Sequence, residues 1–231
     1  MPQNTKLENI KRACGIADLV FAETVRVLRK RAFSTELAVA GFIKQRLASY
    51  GAKPAFRTIV GSGSWSSVPH CFARNKPLEK GFCIIDFGAK FNGYCSDLTR
   101  TVYFGKPSKK ERALYQKVLS VQGTAIKSIR PELSGAEARS IAERALGRHA
   151  KFFPHGLGHG LGKYIHTKPF LKKGKKGKNK LREGQIITVE PGIYFVGKFG
   201  IRIEDDCLIT GNGARQLTHS TKRLLVFSQQ K

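Results

Sequence analysis

Acidic residues are scarce in this chain. Asp and Glu number 16 against 42 Lys and Arg, which gives a formal charge of +26 and a pI near 10.3. Such an excess attracts polyanions, and RNA, ribosomes or DNA are the obvious partners. The usual recognition motifs are missing, however: there is no zinc-finger spacing, no aromatic RNP-like strand and no basic helix with heptads. Basic residues are spread throughout, with one concentration in KPFLKKGKKGKNKLR, residues 168–182. A surface bias of the whole host proteome accounts for the charge equally well, so the expectation is limited to weak association with RNA or the ribosome.

Other absences narrow the class further. No run of about twenty apolar residues occurs, which excludes a membrane-spanning helix. The opening MPQNTKLENIKRACG has no apolar core of the kind a signal peptide needs. The five cysteines (Cys14, Cys71, Cys83, Cys95 and Cys207) are odd in number and contain no CxxC pair. That argues against a disulfide or zinc-thiolate framework and for a reducing compartment, with the cytoplasm as the default. What remains is globular composition, 41% hydrophobic and 25% charged, in 231 residues with no evident linker. One domain over residues 1–231 is expected, with α+β architecture.

Along the chain, apolar residues at helical spacing run from Leu7 to Leu28. Ser34 reads as the cap of a second helix that stops at Gly51. A short strand over 55–60 and a Gly/Ser loop, GSGSWSS, lead to His70. Helices opened by Ser108 and Ser134 follow. A Gly/His-rich loop, the lysine-rich loop and strands in QIITVEPGIYF, GIRIEDDCLIT and LLVFS complete the pattern. Helix-helix-strands repeated twice suggests two similar halves.

The few acids sit in the least polar segments. In IIDFGAKFNGYCSDLTRT, residues 84–101, Asn92-Gly93 is a strong hairpin signal. A two-residue turn there makes residues whose numbers sum to 185 face each other, so Asp97 lies opposite Gly88 and on the same face as Asp86. Two carboxylates so close raise each other's pKa unless a cation lies between them. HGLGHGLGKYIH sets His155, His159 and His166 among glycines that let backbone approach a ligand. Metal ligation and proton transfer are what imidazole does best at neutral pH. Glu190 ends an apolar run, and Glu204 shares a strand face with Arg202, which offers a salt bridge as the plain structural account of that Glu. One His with four carboxylates is an oxygen-rich set suited to a pair of hard or borderline divalent ions, Mn, Co, Fe or Zn.

These motifs, with IVGSG and its downstream His, resemble the creatinase/aminopeptidase "pita-bread" metallopeptidases, specifically the Xaa-Pro aminopeptidase and Xaa-Pro dipeptidase (prolidase) branch. The resemblance runs from the first helix to about Thr218. It implies a fold of two pseudo-symmetric halves with a curved antiparallel sheet flanked by helices. It also implies two metal ions per chain, Mn or Co favoured, held by Asp86, Asp97, His159, Glu190 and Glu204. His70, His166 and Glu190 take catalytic roles by the same resemblance, while His70, His155, His166 and Arg202 contact substrate. The implied reaction is hydrolysis of the N-terminal Xaa-Pro bond of a peptide, through a hydroxide held between the ions. Two departures stand out. The branch usually carries an extra N-terminal domain for which this length leaves no room, and the lysine-rich loop is unusually basic. That loop follows His166 directly and is expected near the cleft mouth, and Arg202 is expected to orient Glu204. Removal of initiator Met, or a non-catalytic ribosome- or nucleic-acid-binding role, are the alternatives, and monomer or homodimer is left open.

Overall fold

The computed structural model describes residues 3–228. The first half begins with helices α1 (Gln3–Arg29) and α2 (Glu36–Ser49). Strands β1 (Lys53–Pro54), β2 (Ile59–Ser62), β3 (Gly81–Phe87), β4 (Ala89–Phe91), β5 (Tyr94–Cys95) and β6 (Leu98–Phe104) follow. The second half repeats the plan with α3 (Lys109–Ser128), α4 (Gly135–Leu146) and the strands β7 (Gly158–Gly160), β8 (Thr167–Leu171) and β9 (Ile186–Val189). It continues through β10 (Gly192–Phe195), β11 (Phe199–Arg202), β12 (Asp205–Thr210), β13 (Gly213–Gln216) and β14 (Val226–Phe227). Helices α3 and α4 start where expected, each with a reciprocal capping box, Ser108 with Glu111 and Ser134 with Glu137.

Each half buries its own helices against its own strands. In the first, Ala17, Val20 and Leu28 of α1 and Val39, Ile43 and Leu47 of α2 pack on Ile85, Phe87 and Val102. In the second, Leu114, Val118, Val121, Ala138 and Ala142 pack on Ile187, Val189, Ile201 and Ile209. Each such side chain contributes about 1.5–3 kcal/mol through burial. Two larger sheets result, ordered β14-β6-β3-β2 and β13-β12-β9-β7-β8, with smaller ones β1-β4-β5 and β10-β11. All pairings are antiparallel except β14 with β6, where the end of the chain returns to cover the first half's sheet.

The Asp hairpin keeps the register that its turn dictates. Asn92 and Gly93 both have positive φ, +47° and +82°, the conformation a tight primed turn requires. Pairs run from Phe91↔Tyr94 out to Gly81↔Phe104 in the same phase. The ribbon is nevertheless split at Gly88, where β3 ends before β4 begins. A Cβ on Gly88 would lie 2.0 Å from the Ser96 carbonyl oxygen, so only glycine fits. The Ser96 hydroxyl accepts from the Ala89 N–H (3.0 Å), and Asp97 is left free of the ladder.

Several expectations need correction. Thr35, not Ser34, caps α2: its extended backbone lets its hydroxyl accept from Ala38 N–H (3.1 Å), while the Ser34 carbonyl is taken by Leu78. The strand expected at 55–60 is shifted to Ile59–Ser62, where it can pair with β3. The Gly/Ser loop contains a 3₁₀ turn over Gly63–Ser67, in which the Ser66 and Ser67 hydroxyls donate back to carbonyls. Part of the Gly/His loop is strand β7, and part of the lysine-rich segment is strand β8. Strand β13 carries too weak an alternation to be foreseen. Among the described residues no helix is long and apolar enough to cross a membrane.

Candidate metal centre

The two halves meet in a cleft of ≈ 610 Å³. Its lining includes Asp86, Asp97, His159, Glu190 and Glu204, together with His70, His155, His166 and Arg202. Every site residue expected from the sequence therefore lies on one cavity.

Strand ends and breaks aim these side chains. Asp86 stands in β3 between Ile59 and Thr99, so its backbone is paired on both sides. Asp97 occupies the break opposite Gly88, and its N–H donates to Asp206 Oδ2 (2.9 Å). His159 is central in β7, with its N–H on the Thr188 hydroxyl (3.1 Å). Its Nδ1 faces the Gly160 carbonyl at 3.2 Å, and since a carbonyl only accepts, Nδ1 carries the proton. The Nε2 lone pair is thereby turned to the cleft, 3.6 Å from both Asp97 Oδ2 and Glu190 Oε1. Glu190 follows β9, anchored by its N–H on the Leu157 carbonyl (2.8 Å). Glu204 sits between β11 and β12; its N–H meets the Thr99 carbonyl and its Oε2 accepts from the Thr99 hydroxyl (2.5 Å).

Electrostatically the cluster is short of positive charge. Burial, then Glu204 and Asp86, push Asp97 well above the ordinary carboxylate range. Burial, then Glu190 and Asp86, do the same to Glu204, and burial raises Glu190 to about 8. Asp86 is also raised, because burial outweighs the guanidinium of Arg202 beside it. Burial and the neighbouring His166 bring His159 down to about 4, so it is a neutral imidazole, the form able to ligate a metal.

The donor set fits divalent metal on two observations. Ligand atoms of Asp97, His159 and Glu204 lie within 4.8 Å of one another. Asp86 Oδ1 and Asp97 Oδ1 are buried without a hydrogen-bond partner. Orphaned anionic oxygens in an interior are costly, and a hard cation satisfies them.

Arg202 does not act where the sequence suggested. Its Nη2 donates to Asp86 Oδ2 (2.6 Å), and Nη1 donates to the Tyr194 hydroxyl (2.6 Å) and the Pro69 carbonyl (3.0 Å). Glu204 is held directly by Thr99, and Arg202 supports it only through that hydroxyl, to which its Nε donates (3.3 Å). Tyr194 in turn contacts His155 Nε2 at 3.0 Å, while His155 Nδ1 faces the Gly156 carbonyl. Burial and Arg202 lower His155 to about 3, so it stays neutral and accepts from Tyr194. A relay His155–Tyr194–Arg202–Asp86 results. Tyr194 escaped the sequence reading, though its place two residues past Gly192 in the strand after Glu190 was a usable signal. His166 packs edge-on against His159, ring centroids 4.3 Å apart, and His70 is an exposed wall residue. None of the lysines of 168–182 lines the cleft. That segment runs instead along β8 at the sheet edge, held to α4 by the close approach of Gly135 to the Phe170 carbonyl.

Comparison with known proteins agrees with this geometry. The model of metallopeptidase family M24 matches residues 8–211. The chain is 39% identical over 224 residues to a Xaa-Pro dipeptidase of Pyrococcus furiosus, which covers 95% of this chain and 63% of that protein. Among solved structures it superposes with a TM-score of 0.91 on a Xaa-Pro dipeptidase from Bacillus anthracis, at 36% identity over 96% of this chain and 62% of the other. For an X-Pro aminopeptidase from Thermotoga maritima the TM-score is 0.90, at 37% identity over 96% and 63%. The chain thus spans less than two thirds of the length of these relatives.

Proposed function

The chain belongs to metallopeptidase family M24, with its pita-bread fold, and from that premise we propose that it is a metal-dependent aminopeptidase cleaving N-terminal Xaa-Pro bonds. One observation carries the reading: five ligand-type side chains from both halves converge on one cleft, two of them with buried oxygens that lack any protein donor. Asp86, Asp97, His159, Glu190 and Glu204 would hold two divalent ions, Mn or Co by preference. When bound, such ions lower the pKa of water and polarise a scissile carbonyl.

The remaining work falls to the chain's own groups. Glu190 is the most exposed carboxylate of the set, at 18%, and suits carrying a proton from the attacking water to the leaving nitrogen. His70 and His166, exposed on the walls, donate to the substrate carbonyl and to the oxyanion as charge develops there. The relay from His155 through Tyr194 and Arg202 fixes Asp86 with charge-assisted hydrogen bonds. Phe56, Ile59, Pro69 and Ile165 form an apolar wall suited to a proline ring, which has no N–H to satisfy.

We read the described residues as one catalytic unit acting on peptides. Five buried, unpaired cysteines suit a reducing, cytoplasmic setting. The exposed lysines of 168–182 suit weak contact with RNA or the ribosome, through a surface separate from the cleft. The deciding experiment compares Ala-Pro-Ala with Met-Ala-Ser on metal-reconstituted protein. Faster cleavage of Met-Ala-Ser would transfer the assignment to initiator-methionine removal. Cleavage of neither, with metal bound, would favour a binding role.

A further inference from the structure

Glu36, the first residue of α2, is wholly buried yet lies off the cleft lining. Its carboxylate collects donors from two places in the chain. Oε1 accepts from the N–H and the hydroxyl of Ser62, at the end of β2, both at 2.9 Å. Arg74 closes a bidentate fork on it, Nε to Oε2 (2.9 Å) and Nη2 to Oε1 (3.0 Å), and the Arg74 N–H adds a bond to Oε2 (3.1 Å). The start of the same helix grips the same segment by its backbone, with Leu37 N–H on the Arg74 carbonyl and Glu36 N–H on the Lys76 carbonyl, both at 3.1 Å. A bidentate guanidinium–carboxylate pair fixes geometry as well as charge.

What this clamp encloses is the segment that carries His70. The His70 imidazole is exposed on the cleft wall and, among the described residues, makes no hydrogen bond or ion pair. Only its backbone aims it. That backbone is held on one side by Arg202, whose Nη1 donates to the Pro69 carbonyl (3.0 Å). On the other side Phe72 N–H closes a tight turn on the His70 carbonyl (2.9 Å), and Trp65 Nε1 donates to the Phe72 carbonyl (3.0 Å). Trp65 is itself covered by the Arg74 guanidinium, 4.6 Å from its ring centroid. Glu36, Arg74, Trp65 and Phe72 thus form one continuous set of contacts that ends two residues from His70. Glu36 also shuts the base of the loop, since the Ser62 hydroxyl that donates to it accepts from Glu79 N–H (3.0 Å).

Resting on the function proposed above, we propose that Glu36 is a positioning residue for His70. Its clamp on Ser62 and Arg74 sets where the imidazole stands in the cleft, and so the hydrogen bond that His70 makes to the substrate. Glu36 touches no substrate and acts only through the loop.

The test is a double-mutant cycle on metal-reconstituted protein with Ala-Pro-Ala. Glu36→Gln keeps the side-chain shape and leaves Arg74 a partner in Glu79 (3.7 Å). kcat should fall about 10-fold with metal content unchanged, since a group displaced by about 1 Å can lose about 100-fold. In the His70→Ala background the same substitution should change kcat by less than about 2-fold, because the two residues act through one pathway. Arg74→Gln should repeat the pattern from the more exposed side of the pair, and Arg74→Lys should recover part of the rate, since charge survives without the fork. A second readout needs no turnover: with nitrogen-15-labelled histidine in zinc-supplemented protein, the His70 ring resonances should shift or broaden in Glu36→Gln while those of His219 stay in place. Equal losses from Glu36→Gln with and without His70, or unmoved His70 resonances, overturn the proposal. Should Glu36→Gln fail to fold, Arg74→Gln carries the same cycle. If no Xaa-Pro peptide is hydrolysed, the catalytic reading fails on its own, and the resonances still decide Glu36.

Discussion

Glu204 and Asp205 are consecutive, equally buried acids with opposite surroundings. Asp205 receives Arg100 (2.6 Å), Gln122 (2.6 Å), Thr218 (2.9 Å), Gln216 (2.9 Å) and Lys222 (2.9 Å). Burial raises its pKa, but Arg100 and Lys222 outweigh that and hold it below the usual value. Glu204, on the other face of the chain, has one hydroxyl donor and three carboxylate neighbours, and is pushed up. Burial alone thus does not mark a functional acid. What differs between these two acids is the supply of protein donors and cations, plentiful at Asp205 and scarce at Glu204.

Four experiments bear on that contrast. The largest effect should come from His159→Ala, which removes the one nitrogen of the cleft set. Activity should fall by far more than the roughly 100-fold that outer-shell changes cost, with bound metal reduced in elemental analysis. Retained stoichiometry and rate would mean that the cluster is not the metal centre. Asp205→Asn should instead cost about 3–5 kcal/mol in denaturant unfolding, because it strands Arg100 and Lys222. A neutral result would erase the distinction between the two acids.

The third is a pH series on metal-free protein. Glu190 has a folded pKa of about 8, raised above its unfolded value. Its charge therefore opposes folding, and stability should be highest near pH 4.5 and decline as pH rises towards 8, by up to about 5 kcal/mol. Added metal should flatten that decline, as seen in thermal melts. A metal-free protein with flat or rising stability over that window would contradict the charge deficit. The smallest effect is expected for Asp97→Asn in metal-free protein, a gain of about 1 kcal/mol from relieved repulsion. The same change should weaken metal binding, so stabilisation and loss of function would appear together.

How much of this was legible beforehand follows the range of the interactions involved. The Asn92-Gly93 turn is local, and it fixed the phase of the whole Asp hairpin. The capping boxes at Ser108 and Ser134 are local too, and both helices begin there. Clustering of the five expected ligands was readable because few acids exist and each lies in an apolar segment. What escaped is long-range: Arg202 reaches across 116 positions to Asp86, so its proximity to Glu204 in sequence misled. The Asp205 node draws on donors from Arg100, Gln122 and Lys222, which no spacing rule connects. Thr35 displaced Ser34 because the neighbouring loop, through Leu78, claimed the Ser34 carbonyl.

The centre is also divided between the halves, Asp86 and Asp97 from one and His159, Glu190 and Glu204 from the other. Neither half alone carries the proposed ligand set, so an ion bound there would be a rivet through the seam rather than ballast in one side. Its binding energy opposes separation of the halves specifically, and grows with ion concentration as RT ln(1 + [L]/Kd). A chain nicked in the connection at Gly105–Pro107 would still be joined where β14 pairs with β6 and where Ile10 packs on Ile186 and Leu208, so a bound ion would tighten that seam and chelation would loosen it.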